Sequence, residues 1–268
     1  MSREAPSVET QNPIALLAEP HGPVAEAYRT LRAAISKHVA QGKRSFVIAS
    51  AWPGDGKSMV CTNLAVSLAQ MHLQVLLVDG DLRRPTISRV FGAHERRGLT
   101  DLLEQRETGT GYKTRIPNLR FMPRGVSEKT PSNLLSPDRL SQVFKPLKSS
   151  FDVLIIDTPP LSACSDALLI GGTSDGAILV VSPQGWDGEV EQRYKQQLID
   201  HEVPVLGAVL NGAESSEQFG YGYGYGYGYG YGRGYGEYGR EQGSRKRRPR
   251  AAAAGRRSWP WSRPDDAT

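Results

Sequence analysis

The chain has 268 residues, 38% of them hydrophobic and 23% charged, with two cysteines and a formal net charge of +5. That length accommodates one large α/β domain with its own core, the cysteine count excludes a disulfide scaffold, and no apolar run approaches the roughly eighteen residues of a membrane span. The charge is uneven, since residues 240–268 hold nine Lys or Arg against three acids; the basicity therefore belongs to an appendage and marks no specific nucleic-acid partner for the folded part.

Residues 1–22 carry Pro6, Pro13, Pro20 and Gly22 without a sustained period, the pattern of an arm lying over the domain or of disorder. No charged-then-apolar leader precedes them, which predicts a cytoplasmic protein whose membrane association runs through a partner or the tail. Pro23 suits the first turn of a helix, and Val24, Tyr28, Leu31, Ile35 and Val39 recur at helical spacing through about His38. Glu26 and Arg29 fall off that stripe and Arg32 on its flank, so spacing alone reads them as a solvated face.

An apolar run from Ser45 then meets Ser50-Ala51-Trp52-Pro53-Gly54-Asp55-Gly56-Lys57-Ser58. Strand, glycine turn, lysine and hydroxyl form a phosphate cradle: backbone N–H groups at the turn and helix start attract anions, the lysine reaches terminal phosphates, and the hydroxyl can ligate Mg2+. The pattern's first glycine is Ala51 here, and a surface turn containing Gly-Lys-Ser is the competing explanation. A helix over Met59–Gln70, a buried strand over Gln74–Asp79 and a strand at Leu119–Met122 follow. The alternation continues with a helix from Pro137 to Lys148 capped by Ser136, a strand Phe151–Asp157, a helix near Asp166–Gly171, a strand Ala177–Ser182, a helix Asp187–His201 and a strand Val205–Asn211. The fold class predicted is α/β, a P-loop NTPase with a doubly wound, mostly parallel sheet flanked by helices. Cys61 and Cys164 fall inside these packed segments as small hydrophobes.

Ligands of such sheets bind at the carboxyl ends of strands, which gathers Lys57, Ser58, Asp79, Asp81 and Asp157 into one crevice. Singly, strand-end aspartates also serve as helix caps. An apolar strand ending in Asp157-Thr158-Pro159-Pro160 has the form of the second nucleotide motif, whose carboxylate supports Mg2+. Asp79-Gly80-Asp81 adds acids beyond what water activation needs, so one is available as general base toward an acceptor hydroxyl. A phenol, with an ordinary pKa near 10, is the easiest such hydroxyl to deprotonate. Eight of the eleven tyrosines, Tyr221, Tyr223, Tyr225, Tyr227, Tyr229, Tyr231, Tyr235 and Tyr238, lie in a glycine-flanked run. Glycine on each side lets a phenol thread into an active site; a self-associating low-complexity tail is the other reading.

With these motifs assembled, residues 14–238 resemble the bacterial tyrosine kinases, the cytoplasmic autokinases of capsular and exopolysaccharide synthesis. The resemblance rests on Ser50–Ser58 as that family's Walker A form, which lacks a first glycine, on Val78-Asp79-Gly80-Asp81-Leu82-Arg83-Arg84-Pro85, on Ile155-Ile156-Asp157-Thr158-Pro159-Pro160 and on the tyrosine cluster. The family usually has glutamate where Asp55 stands, and its tyrosine clusters are less regular. The resemblance implies an N-terminal arm (1–22), a kinase domain (23–213), an autophosphorylation tail (214–239) and a basic C-terminus (240–268) outside the likeness. It implies ATP held by Gly54, Asp55, Gly56, Lys57, Ser58, Met59 and Asn211, Mg2+ held by Ser58, Asp81 and Asp157, and catalysis by Lys57, Asp79, Asp81 and Asp157. It turns Glu26, Arg29 and Arg32, a Glu-x-x-Arg-x-x-Arg set, into a subunit contact of a ring homo-oligomer. The partners implied are a membrane-spanning polysaccharide co-polymerase or chain-length adaptor at the inner face of the cell membrane and a tyrosine phosphatase. Two rivals remain from sequence: a cell-positioning or partitioning ATPase, whose second P-loop lysine is replaced here by Trp52, and a nucleotide-sensing scaffold with a sticky tail.

Overall fold

In chain order a helical turn α1 (Ala15–Ala18) and the long helix α2 (Pro23–Ala40) precede strand β1 (Ser45–Ala49). The glycine loop leads into α3 (Lys57–Ala69) and β2 (Val75–Asp79), and short helices α4 (Thr86–Val90) and α5 (Leu99–Leu103) lead to β3 (Tyr112–Lys113) and β4 (Leu119–Met122). Then α6 (Pro131–Leu134) and α7 (Pro137–Ser150) run to β5 (Val153–Asp157), α8 (Asp166–Gly171) to β6 (Gly176–Val181), and α9 (Gly188–Asp200) to β7 (Val205–Leu210). This is a computed structural model describing residues 14–106 and 109–213. The eight tail tyrosines, the block Arg245–Arg250 and Trp259-Pro260-Trp261 lie outside the described residues.

The strands form one seven-stranded sheet in the order β3-β4-β2-β5-β1-β6-β7, parallel throughout except for the edge pair β3–β4. Strands β1, β2, β5 and β6 are buried at every position, which is why they read as unbroken apolar runs: helices cover both faces of a parallel sheet. Successive side chains go to opposite faces. Phe46 and Ile48 of β1 join the core beneath α2 and α3, whereas Val47 and Ala49 join the one beneath α7, α8 and α9. Helix α7 starts where expected, with the Ser136 hydroxyl accepting the Arg139 N–H at 3.4 Å.

Three features depart from the sequence reading. The described part of the N-terminal arm carries a helical turn whose Ile14 and Leu16 are buried in the core rather than an extended strap. Between Arg84 and Asn118 the chain makes α4, α5 and β3, none long enough to show a period. Cys61 is buried as expected, but Cys164 is only half-buried.

Asp175 joins the starts of β1 and β6. Its Oδ2 accepts the N–H groups of Arg44 (2.7 Å) and Ser45 (2.9 Å) and the Ser45 hydroxyl (3.1 Å), and its Oδ1 accepts from Lys148 Nζ at 3.0 Å. Burial alone would raise this carboxyl; the Arg44 N–H, Lys148 and the Ser45 N–H outweigh it and hold the group below the ordinary 3.8. Its contribution is therefore complete above that ordinary value and is lost as pH falls through the lower folded one. Asp175→Asn is expected to lower unfolding stability by about 1–3 kcal/mol at pH 7, measured by urea denaturation, with the gap to wild type closing toward pH 3.

Candidate active site

The loop between β1 and α3 is held in shape from several sides. Gly54 and Gly56 have φ of +89° and +88°, which L side chains rarely adopt. At Gly56 a Cβ would also lie 2.0 Å from Asn211 Nδ2. Asp55 Oδ2 accepts the Trp52 N–H at 3.0 Å, the Ser50 hydroxyl donates to Trp52 O at 2.7 Å, and Asn211 Nδ2 donates to Asp55 O at 2.9 Å. Behind the loop, the N–H groups of Leu161 and Ser162 reach the carbonyls of Ser50 and Ala51 at 2.9 and 3.1 Å. Position 51 is thus fully buried under the segment that follows β5. Lys57, Ser58 and Met59 form the first turn of α3, so its free N–H groups face the same space as the loop's. Trp52 meets Tyr194 of α9 edge-on, with ring centres 6.4 Å apart.

The carboxylates converge because their strands are neighbours in register. Asp79 ends β2 and Asp157 ends β5 at paired positions, and Asp157 is also paired with Ile48 of β1. Both carboxyl groups are fully buried. Asp157 Oδ2 accepts the Ser58 hydroxyl at 2.6 Å, and Asp79 Oδ2 accepts both the N–H and the hydroxyl of Ser88 at 2.7 Å each. The other oxygen of each, Asp157 Oδ1 and Asp79 Oδ1, has no hydrogen-bond partner. Asp81 is buried beside them, its Oδ1 accepting the N–H groups of Arg83 and Arg84 at 3.2 and 2.8 Å. Between the two aspartates only glycine fits: a Cβ on Gly80 would stand 2.5 Å from Asp157 O.

Burial pushes the Asp157 carboxyl up to about 7, against the pull of Lys57 and the Ser58 hydroxyl. Asp79 is pushed well above the usual range by burial and then by the Asp157 charge, with Ser88 opposing. Asp81 is raised by burial, offset by the Arg84 N–H and Lys57; Asp55 is raised by burial, offset by the Trp52 N–H. A buried carboxylate oxygen without a donor is costly unless a cation completes it. The set available is a hydroxyl and carboxylates, all hard oxygen donors, which suits Mg2+. No group of three or more His, Cys, Asp or Glu poised for a metal occurs among the described residues.

Glu26, Arg29 and Arg32 lie on α2, apart from the cradle. Arg29 pairs with Glu26 and donates to Pro20 O at 2.5 Å, while Arg32 donates to Ser67 O of α3 at 3.2 Å. Several site residues escaped sequence reading. Ser88 comes nine residues after its partner and carries no motif. Arg83 forks onto the buried Asp166 at 2.9 and 3.1 Å; both positions lie in recognisable segments, but only the fold makes them a pair.

A glycine loop feeding a helix N-terminus, with buried aspartates at the ends of the adjacent strands, defines a P-loop NTPase of the type that acts on nucleotide with Mg2+. In line with that, the ParA family model, described as the NUBPL iron-transfer P-loop NTPase, matches residues 41–218. The chain is 34% identical over 219 residues to the tyrosine-protein kinase YwqD of Bacillus subtilis, covering 79% of the chain and 91% of that protein. Its fold is similar to the kinase domain of the Escherichia coli tyrosine kinase ETK, with a TM-score of 0.70 and 30% identity over 80% of the chain and 85% of the other. The septum site-determining protein MinD of Pyrococcus horikoshii, complexed with Mg-ADP, is similar with a TM-score of 0.56 and 30% identity, covering 65% of the chain and 72% of the other. The chain belongs to the bacterial tyrosine-kinase family, a branch of the ParA-type P-loop NTPases. No helix among its described residues is long and apolar enough to cross a membrane.

Ionising Asp157 opposes folding in metal-free protein: stability is greatest below the ordinary value of 3.8 and declines as pH rises through about 7. Asp157→Asn removes that decline. Its gain in melting temperature over wild type, both without Mg2+, is expected to grow from pH 5 to pH 8, while turnover of Mg-ATP is lost. A pH-independent difference in thermal scans would contradict the assignment.

Proposed function

We propose that this protein is an ATP-dependent protein-tyrosine kinase that phosphorylates the Gly-Tyr tail of a neighbouring copy in a ring homo-oligomer, and so regulates capsule or exopolysaccharide synthesis and export. The observation that carries the proposal is the cluster of three buried carboxylates beside Lys57 and Ser58, two of them with an oxygen left free. Hydrolysis of ATP by water needs fewer acids; a proton-accepting carboxylate next to an Mg2+-type site fits transfer to a hydroxyl.

In the proposed reaction the loop N–H groups with Gly54, Asp55, Gly56 and Met59 cradle the phosphates, Lys57 neutralises their charge, and Asn211 closes the loop on the nucleotide side. Mg2+, held by Ser58, Asp81 and Asp157, would supply charge compensation at the β- and γ-phosphate oxygens. A tail phenol oxygen attacks the γ-phosphorus, the bond to the bridging oxygen of ADP breaks, and the phenolic proton passes to Asp79. The acceptors are among Tyr221, Tyr223, Tyr225, Tyr227, Tyr229, Tyr231, Tyr235 and Tyr238. Glu26, Arg29 and Arg32 make the subunit contact. Charge accumulating on phosphorylated tails favours ring disassembly, and a tyrosine phosphatase resets it. A membrane-spanning chain-length adaptor holds the ring at the inner face of the membrane and supports activity. Trp52 in place of a second lysine disfavours the positioning-ATPase reading.

With Mg-ATP, and with the adaptor's cytoplasmic segment supplied if the chain alone is silent, phosphotyrosine blotting is expected to label the tail. Lys57→Met should cut labelling by about 100-fold or more, while deletion of residues 214–268 should leave ATP turnover without label. In a mixture of full-length Lys57→Met with a tail-less active chain, the mutant's tail should be labelled. An unlabelled tail there would remove transfer between subunits; turnover with no labelling of any full-length chain would favour the ATPase switch.

A further inference from the structure

Ser88 sits in the middle of the five-residue helix α4, fully buried. It turns both of its own donors onto one atom, the N–H and the hydroxyl each reaching Asp79 Oδ2 at 2.7 Å. Asp79 is fully buried as well, and its second oxygen, Oδ1, is left without a partner. A carboxylate swings about a soft, two-fold torsion, so which oxygen stays free is decided by what grips the other.

The hydroxyl is itself oriented. Its oxygen accepts the Arg124 N–H at 3.0 Å, and since a hydroxyl has one proton, that acceptance leaves the proton for Asp79. Arg124 is fixed in turn, Nε donating to Leu82 O at 2.9 Å and Nη2 to Ser127 O at 3.2 Å. Leu82 follows Asp81 directly. The segment after β4 thus clamps the loop after β2, and Ser88 lies where the two meet.

We propose that Ser88 is a positioning residue for phosphoryl transfer: oriented by the Arg124 N–H, its hydroxyl holds Asp79 Oδ2 so that Oδ1 alone is presented to the acceptor phenol. The role rests on the kinase function proposed above, with Asp79 as proton acceptor. Ser88 touches neither nucleotide nor phenol; it acts through the aim of Asp79. Misplacing a reacting group by about 1 Å costs on the order of 100-fold in rate, with little effect on binding of the other substrate.

Thr and Val have the same shape and differ by the hydroxyl, so Ser88→Thr and Ser88→Val in the full-length chain isolate the hydrogen bond from the packing. Under conditions where the wild type labels its tail, Ser88→Val is expected to lose about 10- to 100-fold in kcat relative to Ser88→Thr, with KM for Mg-ATP within threefold. Ser88→Ala, which only deletes an atom and introduces no clash, should show the same kcat loss with a folded circular dichroism spectrum and a melting temperature a few degrees below wild type, because the Arg124 N–H loses its acceptor; it decides the matter if the two larger variants do not fold. Equal kcat for Thr and Val variants, or wild-type kcat for folded Ser88→Ala, overturns the role while leaving the kinase reading intact. A rise in KM with kcat unchanged overturns it too, by placing Ser88 in nucleotide binding. A wild-type chain that turns over ATP yet never labels tyrosine fails the kinase reading itself, and this role with it.

Discussion

Two acids at paired positions of adjacent parallel strands set the terms for everything else in this molecule. Neighbouring strands stand about 4.8 Å apart, so Asp79 and Asp157 crowd each other in a region with almost no water. Such a pair opposes folding wherever both are ionised. The apolar cores on either face of the sheet supply the stability that tolerates it, and the local donors, Ser58 and Ser88, satisfy one oxygen of each acid without satisfying both. What remains is an electrostatic deficit of the kind that a hard cation offsets. A site that was comfortable when empty would have less to gain from binding.

The phosphate loop meets that deficit from the other side. It is fixed by contacts that do not depend on nucleotide: Asp55 caps the Trp52 N–H, and the segment after β5 braces the carbonyls of Ser50 and Ala51. The missing first glycine is explained by that brace, because the position is covered by chain rather than open to a phosphate. Trp52, which stands where partitioning ATPases have a lysine, leans on Tyr194 and so ties the loop to α9.

The sheet was legible because parallel strands buried on both faces write unbroken apolar runs, and every strand of four residues or more was found within two residues of its ends. The phosphate loop and the strand-end aspartates were legible because their spacing is local. Helices α4 and α5 and the edge strand β3 were not, since five residues show no helical period and two show no alternation. Ser88 and the Arg83–Asp166 fork were invisible for a different reason: each depends on residues brought together only by the crossing of separate segments, and neither residue type in isolation announces a partner. The burial of Ile14 and Leu16 was missed because the surrounding prolines dominate the local composition.

The hydrogen bond from Asn211 to Asp55 spans 156 residues of sequence, and the one from Ser58 to Asp157 spans 99. Contacts so distant along the chain form late, because their loops must close before they contribute. The phosphate cradle, though written in nine consecutive residues, is therefore completed by the end of the last strand. During synthesis the ribosome releases the loop long before it releases β7, and for that interval the chain carries the nucleotide motif without the geometry that makes it a site.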